Sequence, residues 1–293
     1  MIHTQPLDTL FRGSLLFGIL VTALCLEQLI PLRKVTRPKL RRIVTNLGLA
    51  AIGTLALKLT FFPFVIGISE LSAANHWGLI PRFGLPTLIQ LIVAIVALDY
   101  TLYIWHWLNH RVPFLWRFHN VHHVDLDLDV STASRFHFGE LILSAIFRSG
   151  QIVLLGIDPF TLILFETLIT TFAQFHHSNI WLPLRLETLI NKLLVTPRMH
   201  GIHHSIVQKE TDSNYSAIFS VWDRLHRSMR LNIRQSQITI GVAAYRDPKE
   251  VTFVAVLLLP FQKQRPWKLP DGSNPTREVK DSFDSASPTQ MMA

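Results

Sequence analysis

A single cysteine, Cys25, occurs in all 293 residues. That excludes a disulfide framework and any zinc or iron–sulfur site built on thiolates. Charge is scarce too: Asp, Glu, Lys and Arg make up 16% of the chain, where soluble domains carry roughly 25%. No glycine-rich dinucleotide fingerprint and no Cys-x-x-Cys-His haem attachment occurs, so this sequence offers no recognisable site for a flavin, a nicotinamide or a c-type haem. It also lacks the His-Glu-x-x-His of zinc proteases and the Glu-x-x-His pairs of soluble di-iron bundles. The opening Met1-Ile2-His3-Thr4-Gln5 has no basic n-region or cleavage site, so the first apolar run is expected to remain as a membrane anchor.

Apolar length is abundant. Hydrophobic residues reach 49%, in runs over residues 14–30, 43–68 and 85–98, the last continuing as helix to about Asn109. Each run is near the ~20 residues that span a bilayer. Residues 141–155 and 160–175 form a further pair joined by Gly156-Ile157-Asp158-Pro159, a turn and helix-start signal. The expected fold is an all-α integral membrane bundle of four to five segments with a helical cap. Residues 1–98 form the N-terminal membrane helices, and 99–263 a second domain containing the hairpin at 141–175. Residues 264–293, rich in Pro, Ser, Asp and Lys, read as a disordered tail. The apolar stretch 251–261 is too short to span and is expected to pack on the body or lie in the interface.

The net charge of +8 is uneven: Arg33, Lys34, Arg37, Lys39, Arg41 and Arg42 crowd one connection. Beside apolar runs this reads as a topology signal rather than a nucleic-acid surface, and it places that connection in the cytoplasm. The third run then returns inward, and the 141–175 hairpin comes back to the same side. Every histidine motif is thereby gathered on the cytoplasmic face.

Those motifs are His106-x-x-x-His110, His119-x-x-His122-His123 and His200-x-x-His203-His204. Residues three and four apart share a helix face, so such spacings converge imidazoles. Adjacent histidines diverge by about 100°, which suits two metal ions better than one. Asp99, Tyr103, His106 and His110 form one helical stripe. An aspartate inside a membrane helix is costly, and accepting the spare N–H of a ligand imidazole would explain it. His137 is a further candidate ligand. His176 and His177 follow the returning helix, and spacing does not decide between them. His3, His76 and His226 have no partner at ligand spacing.

From Asp99 to Arg227 the chain resembles the fatty acid hydroxylase/sterol desaturase superfamily of integral-membrane di-iron oxygenases. The resemblance rests on the three motifs above, Trp116-x-x-His119, His177-Ser178-Asn179, Thr196-Pro197-Arg198-Met199-His200, Asn214-Tyr215-Ser216 and Trp222-Asp223-Arg224-Leu225. Arg135 through Glu140 matches the family's Arg-x-His-Pro-x-Glu with Phe138 in place of proline, and Ser216 and Arg227 stand where the family has glycine. The resemblance implies metal ligation by His106, His110, His119, His122, His123, His137, His177, His200, His203 and His204, preferring His177 over His176. Asp99, Tyr103, Glu140, Asn179, Asn214 and Asp223 are candidates to orient those ligands.

The expected function is O2-dependent hydroxylation or desaturation of an unactivated C–H bond in a lipid by two iron ions, with zinc as a possible substitute. Iron is preferred because oxygen chemistry needs a redox metal. The lipid would enter from the bilayer. Electrons would come from a separate cytochrome or ferredoxin with its reductase. The competing readings are a metal transporter, a non-catalytic or zinc-bound protein on the same scaffold, and a zinc hydrolase.

Overall fold

The computed structural model describes residues 6–277 and is all-helical there, with no strand among the described residues and three isolated bridges. Among the described residues, four helices are long and apolar enough to cross a membrane: α1 (Pro6–Leu29, through its Leu10–Leu29 stretch), α2 (Lys39–Thr60), α4 (Thr87–Arg111) and α6 (Phe138–Leu155). Only 11–28% of each apolar window is buried inside the protein. Phe11, Phe17, Leu55, Leu59, Leu88 and Ile92 point outward instead. Exposing such side chains to water costs roughly 25 cal/mol per Å², a penalty that lipid removes. The chain is a multi-pass membrane protein.

The 43–68 run was expected as one helix, and the structure divides it. α2 stops at Thr60, and α3 (Phe62–Ala74) starts with Pro63 in its first turn. Proline has no N–H to donate, and its ring collides with the preceding turn, so the helix breaks there. α3 packs against α6 at the end of the bundle remote from the histidines, where the Ser69 hydroxyl donates to the Ile157 carbonyl (2.8 Å). The α6–α7 turn closes this end. Gly156, with φ +83°, caps α6 in the left-handed region, and Asp158 caps α7 (Pro159–His177) by accepting from Phe160 N–H (2.9 Å). Gly78 is also required there, since a Cβ on it would lie 2.1 Å from Gly156 N.

The opposite end collects the chemistry. α4 and α7 both finish there, and the connection after α1 runs beside the segment that follows α7. Leu32 N–H donates to the Asn179 carbonyl (2.8 Å), and Pro31 bridges to Ile180. α5 (Pro113–His123) begins directly after α4, with Pro113 as its first residue. α8 (Leu184–Asn191), α9 (Pro197–His203), α10 (Gln208–Thr211), α11 (Val221–Leu225) and α12 (Phe253–Leu258) complete the cap. Leu49, Val121, Val124, Val242, Tyr245, Val256 and Leu259 form a core between α2, α5 and the C-terminal segment. The 251–261 stretch thus packs on the body through Val256 and Leu259 and exposes Val254, Leu258 and Phe261.

Two expectations need correction. The segment from Gln264 to Arg277 is not a free tail. The Gln264 side chain accepts from Asn120 (2.9 Å), the Trp267 indole donates to the Ile206 carbonyl (2.6 Å), and Arg277 pairs with Glu210 (2.8 Å). Composition marked it as disordered because its anchors are single side chains rather than a periodic apolar face. The remainder of the expected tail, from residue 278, lies outside the described residues, as does His3. Nor is the basic connection a topology signal alone: Arg33 and Arg42 are buried, and Lys39 pairs with Glu27 at 2.6 Å. Arg42 engages Asp125 and Asp129 (2.7 Å each), tying α2 to the turn after α5.

Candidate metal centre

Nine histidines converge in two groups: His106, His110, His119, His123 and His203 in one, and His122, His177, His200 and His204 in the other. Within each group the candidate ligand atoms all lie within 4.8 Å of one another. The motifs interlock. In α5, His119 and His123 are four apart and join the first group, while His122, turned about 100° away, joins the second. α9 does the reverse: His200 and His204 serve the second group and His203 the first. Thr196 fixes the start of α9 as its N-cap, with Pro197 in the first position.

Hydrogen bonds set the tautomers. The Nδ1–H groups of His106, His119, His122, His177 and His203 donate to the Tyr215 carbonyl (2.7 Å), Glu140 Oε1 (2.7 Å), the Arg135 carbonyl (3.2 Å), the Ala173 carbonyl (2.8 Å) and the Ser213 carbonyl (2.7 Å). A neutral imidazole that donates through Nδ1 presents a bare lone pair at Nε2. The Nε2 atoms of His122 and His177 nevertheless face each other at 3.1 Å, and those of His177 and His200 at 3.0 Å. Nε2 of His106, His110 and His203 is buried with no partner among the described residues. Lone pairs so gathered repel unless a cation lies among them.

That cation is not a proton. Burial, reinforced by neighbouring imidazoles, holds His122, His123, His200 and His204 well below the usual histidine pKa. Burial brings His203 down to about 3 despite the Ser213 carbonyl. These five imidazoles stay neutral and free to ligate at pH 7, and the all-imidazole donor set in two groups fits two divalent transition metals.

Not every expected residue reaches the centre. His137 stands outside both groups. It caps α6, its Nδ1 accepting from Gly139 N–H (3.0 Å) while its Nε2 donates to the Leu257 carbonyl (3.1 Å). With both nitrogens used it has no lone pair to offer. His176 is buried with its ring 4.2 Å from that of His200, but it belongs to neither group. His226 stacks on Tyr103 (4.9 Å).

Among the candidates for orienting ligands, only Glu140 touches a clustered imidazole. Asp99 does not accept from a histidine; it takes the Ile218 N–H (3.1 Å), the Phe219 N–H (3.0 Å) and the Trp222 indole (2.7 Å). Asp223 takes Tyr215 N–H (2.9 Å) and Ser216 N–H (2.8 Å), and Asn214 donates to the Met199 and Arg230 carbonyls (2.8 and 2.7 Å). These three act one step away, fixing the 213–219 loop whose carbonyls hold His203 and His106. Tyr103 bonds Ser228 (2.9 Å), and Asn179 binds the Arg33 backbone (2.9 Å). Arg227, at the position of a family glycine, sits at φ +58°, whereas Ser216 has no positive φ.

Sequence reasoning missed the carbonyls of Arg135, Ala173, Ser213 and Tyr215, since every residue has a carbonyl and none advertises its use. It also missed the Tyr215 ring, packed on His110 at 5.2 Å and on His106 and His203 at 5.8 Å.

Fold and site together define an integral-membrane protein with two adjoining histidine groups, each of which could hold a metal ion. Residues 91–228 match the family model for fatty acid hydroxylase. The 91–228 region, a little under half of the chain, is thus similar to the fatty acid hydroxylase family. It is similar to an ornithine lipid hydroxylase of Rhizobium tropici, with 29% identity over 216 residues, covering 73% of this chain and 61% of that protein. A cholesterol 25-hydroxylase of Rattus norvegicus is 24% identical over 225 residues, covering 73% and 70% of the two chains. An alkylglycerol monooxygenase of Danio rerio is 27% identical over 183 residues, covering 62% and 39%. The chain therefore spans about three fifths of the length of the first of these relatives. No solved structure matches it.

Proposed function

We propose that this protein is a di-iron, O2-dependent oxidoreductase that hydroxylates or desaturates an unactivated C–H bond of a membrane lipid, in a fatty acyl chain, a sterol or a related isoprenoid. The observation that carries the reading is the convergence of nine imidazoles, five of them locked with Nε2 inward, into two groups at the ends of membrane helices. His106, His110, His119, His123 and His203 would hold one ion, and His122, His177, His200 and His204 the other. Iron bound there supplies reductive activation of oxygen.

The protein's own work is to hold and to exclude. Glu140 and four carbonyls keep the imidazole rings oriented, and seven of the nine histidines are buried residues. α4, a candidate membrane span, runs directly into the centre, and α7 packs beside it and ends there, which favours a lipid entering from the membrane side. The site is assigned to the cytoplasmic face because the basic connection between α1 and α2 lies at the same end. The sequence has no dinucleotide or haem fingerprint, so electrons are assigned to a separate cytochrome or ferredoxin with its reductase.

The deciding experiment is metal analysis and Mössbauer spectroscopy on detergent-purified protein made with isotopic iron, beside a His203→Ala variant. Two coupled, oxygen-reactive irons per chain, depleted in the variant, are expected. A single redox-inert zinc with no iron uptake on anaerobic reconstitution would overturn the reading.

A further inference from the structure

Away from the histidine centre, a set of cations surrounds a second cavity. The α1–α2 connection, the turn after α5 and the 238–246 segment enclose about 100 Å³, lined in part by Arg33, Lys34, Lys39, Arg42, Arg246, Asp127 and Asp129. Some of these charges are already matched. Lys39 pairs with Glu27, and Arg42 with Asp125 and Asp129. Asp127 accepts from Thr36 N–H and Oγ1–H (2.9 Å each) and from Arg37 N–H (2.7 Å). Arg33, Lys34 and Arg246 remain without an ion-pair partner among the described residues.

Arg33 is the informative member. It is 7% exposed, and its Nη1 donates to Gln235 Oε1 (2.6 Å) and the Pro197 carbonyl (3.3 Å). Its Nε and Nη2 have no partner among the described residues. Burial lowers its pKa to about 10, with Glu27 and Glu187 only partly restoring it, so it remains a cation at pH 7. A buried guanidinium with idle donors is costly. The Nε–Nη2 edge is also the fork that grips two oxygens of a phosphate.

We propose that this cleft binds the phosphate of an anionic membrane phospholipid, with the buried Arg33 guanidinium turning its idle Nε and Nη2 donors to the phosphate and Lys34 and Arg246 holding it at the rim. The position selects a lipid over free phosphate. Lys34, Val35, Thr36 and Thr239 form an exposed mouth between the end of α1 and the start of α2, the level at which a bilayer presents its headgroups. Val35 and Leu40 stand exposed beside the basic residues, as a surface meeting both phosphate and acyl chain requires. The cleft also reaches the histidines mechanically. A Cβ on Gly201 would lie 2.3 Å from Arg33 Nη1, so α9, which carries His200 and His203, leans on this guanidinium. A seated phosphate fixes the side chain that α9 rests on.

The test titrates the full chain in neutral detergent with dihexanoyl phosphatidylglycerol and, separately, with inorganic phosphate, following heat by calorimetry and the thermal midpoint. Saturable binding of the lipid, about tenfold tighter than inorganic phosphate, is expected. Lys34→Gln and Arg246→Gln should each weaken it about tenfold, and Arg33→Gln should abolish it. The rim variants carry the test if Arg33→Gln fails to fold. Absence of saturable lipid binding, or binding indifferent to both rim variants, overturns the proposal. Inorganic phosphate binding as tightly as the lipid overturns the lipid assignment in favour of a free anion. The readout needs no bound iron and no turnover, so its failure is distinct from failure of the oxygenase reading.

Discussion

Replacing Glu140 by glutamine isolates one charge from the centre with almost no change of shape. Glu140 Oε1 receives the His119 Nδ1–H at 2.7 Å, and Oε2 has no partner among the described residues, so the carboxylate serves one imidazole of the five-histidine group. A hydrogen bond to a charged acceptor contributes about 1.5–3 kcal/mol and a neutral one about 0.5–1.5 kcal/mol. The difference, roughly 1–1.5 kcal/mol, corresponds to about tenfold in affinity. Glu140→Ala goes further, because the buried N–H loses its acceptor and the ring is free to change tautomer. A loss near the upper end of the ~10–100-fold range for such outer partners is expected. The assay is anaerobic competition of ferrous iron against a chelator, resolving two ions per chain. One ion should weaken about tenfold in Glu140→Gln and toward a hundredfold in Glu140→Ala. The other should move less than about threefold, since Glu140 touches no member of the second group. Unchanged affinity at both sites would refute the tautomer argument. Equal weakening of both ions in a variant with an unchanged thermal midpoint would refute the division into two groups.

His137→Asn should keep both ions and lose under about 1 kcal/mol of stability, because Asn can also cap α6; loss of an ion in metal analysis would restore His137 as a ligand. Asp99→Ala strands three buried donors at about 1 kcal/mol or more each. It should lower stability by roughly 3 kcal/mol and loosen the 213–219 loop, read as faster amide exchange there. Arg227→Gly relieves a left-handed residue and should raise the thermal midpoint by the equivalent of about 0.5–1 kcal/mol, the strain relief exceeding the entropy cost of glycine. Burial alone would raise the Asp125 pKa, but the Arg42 and Arg135 guanidiniums outweigh it and hold the folded value far below 3.8. The stabilisation is therefore complete above about pH 4 and fades as pH falls toward the folded value. Asp125→Asn should cost about 3 kcal/mol at neutral pH and flatten the acid limb of a stability–pH curve.

The helices and the histidine motifs were legible because both are local periodicities. A run of apolar residues long enough to span, or imidazoles three and four apart on one face, follows from the 3.6-residue turn whatever the rest of the chain does. The break at Phe61 was masked because one proline sits inside an otherwise continuous apolar run. Asp99 was misread for a related reason: helical spacing aligned it with His106, but helix phase does not reveal what approaches from a distant loop, here Ile218 and Trp222. His137 had the right neighbours in sequence but spends both nitrogens on its own helix start and on Leu257.

The sequence by itself determined that eight histidines would stand on short helical faces at the ends of apolar helices, and that adjacent ones would diverge. Only the tertiary structure decided how they divide. His122 leaves its own motif to join His177, His200 and His204, and His203 crosses over to His106, His110, His119 and His123. That exchange depends on the packing of α4, α5, α7 and α9 against one another. So does the choice of His177 over His176, because one residue of rotation turns a ring from the centre into the protein beside it. The backbone carbonyls that fix the tautomers belong to the same level, for a carbonyl's partner is set by where the fold places it and not by the residue that bears it.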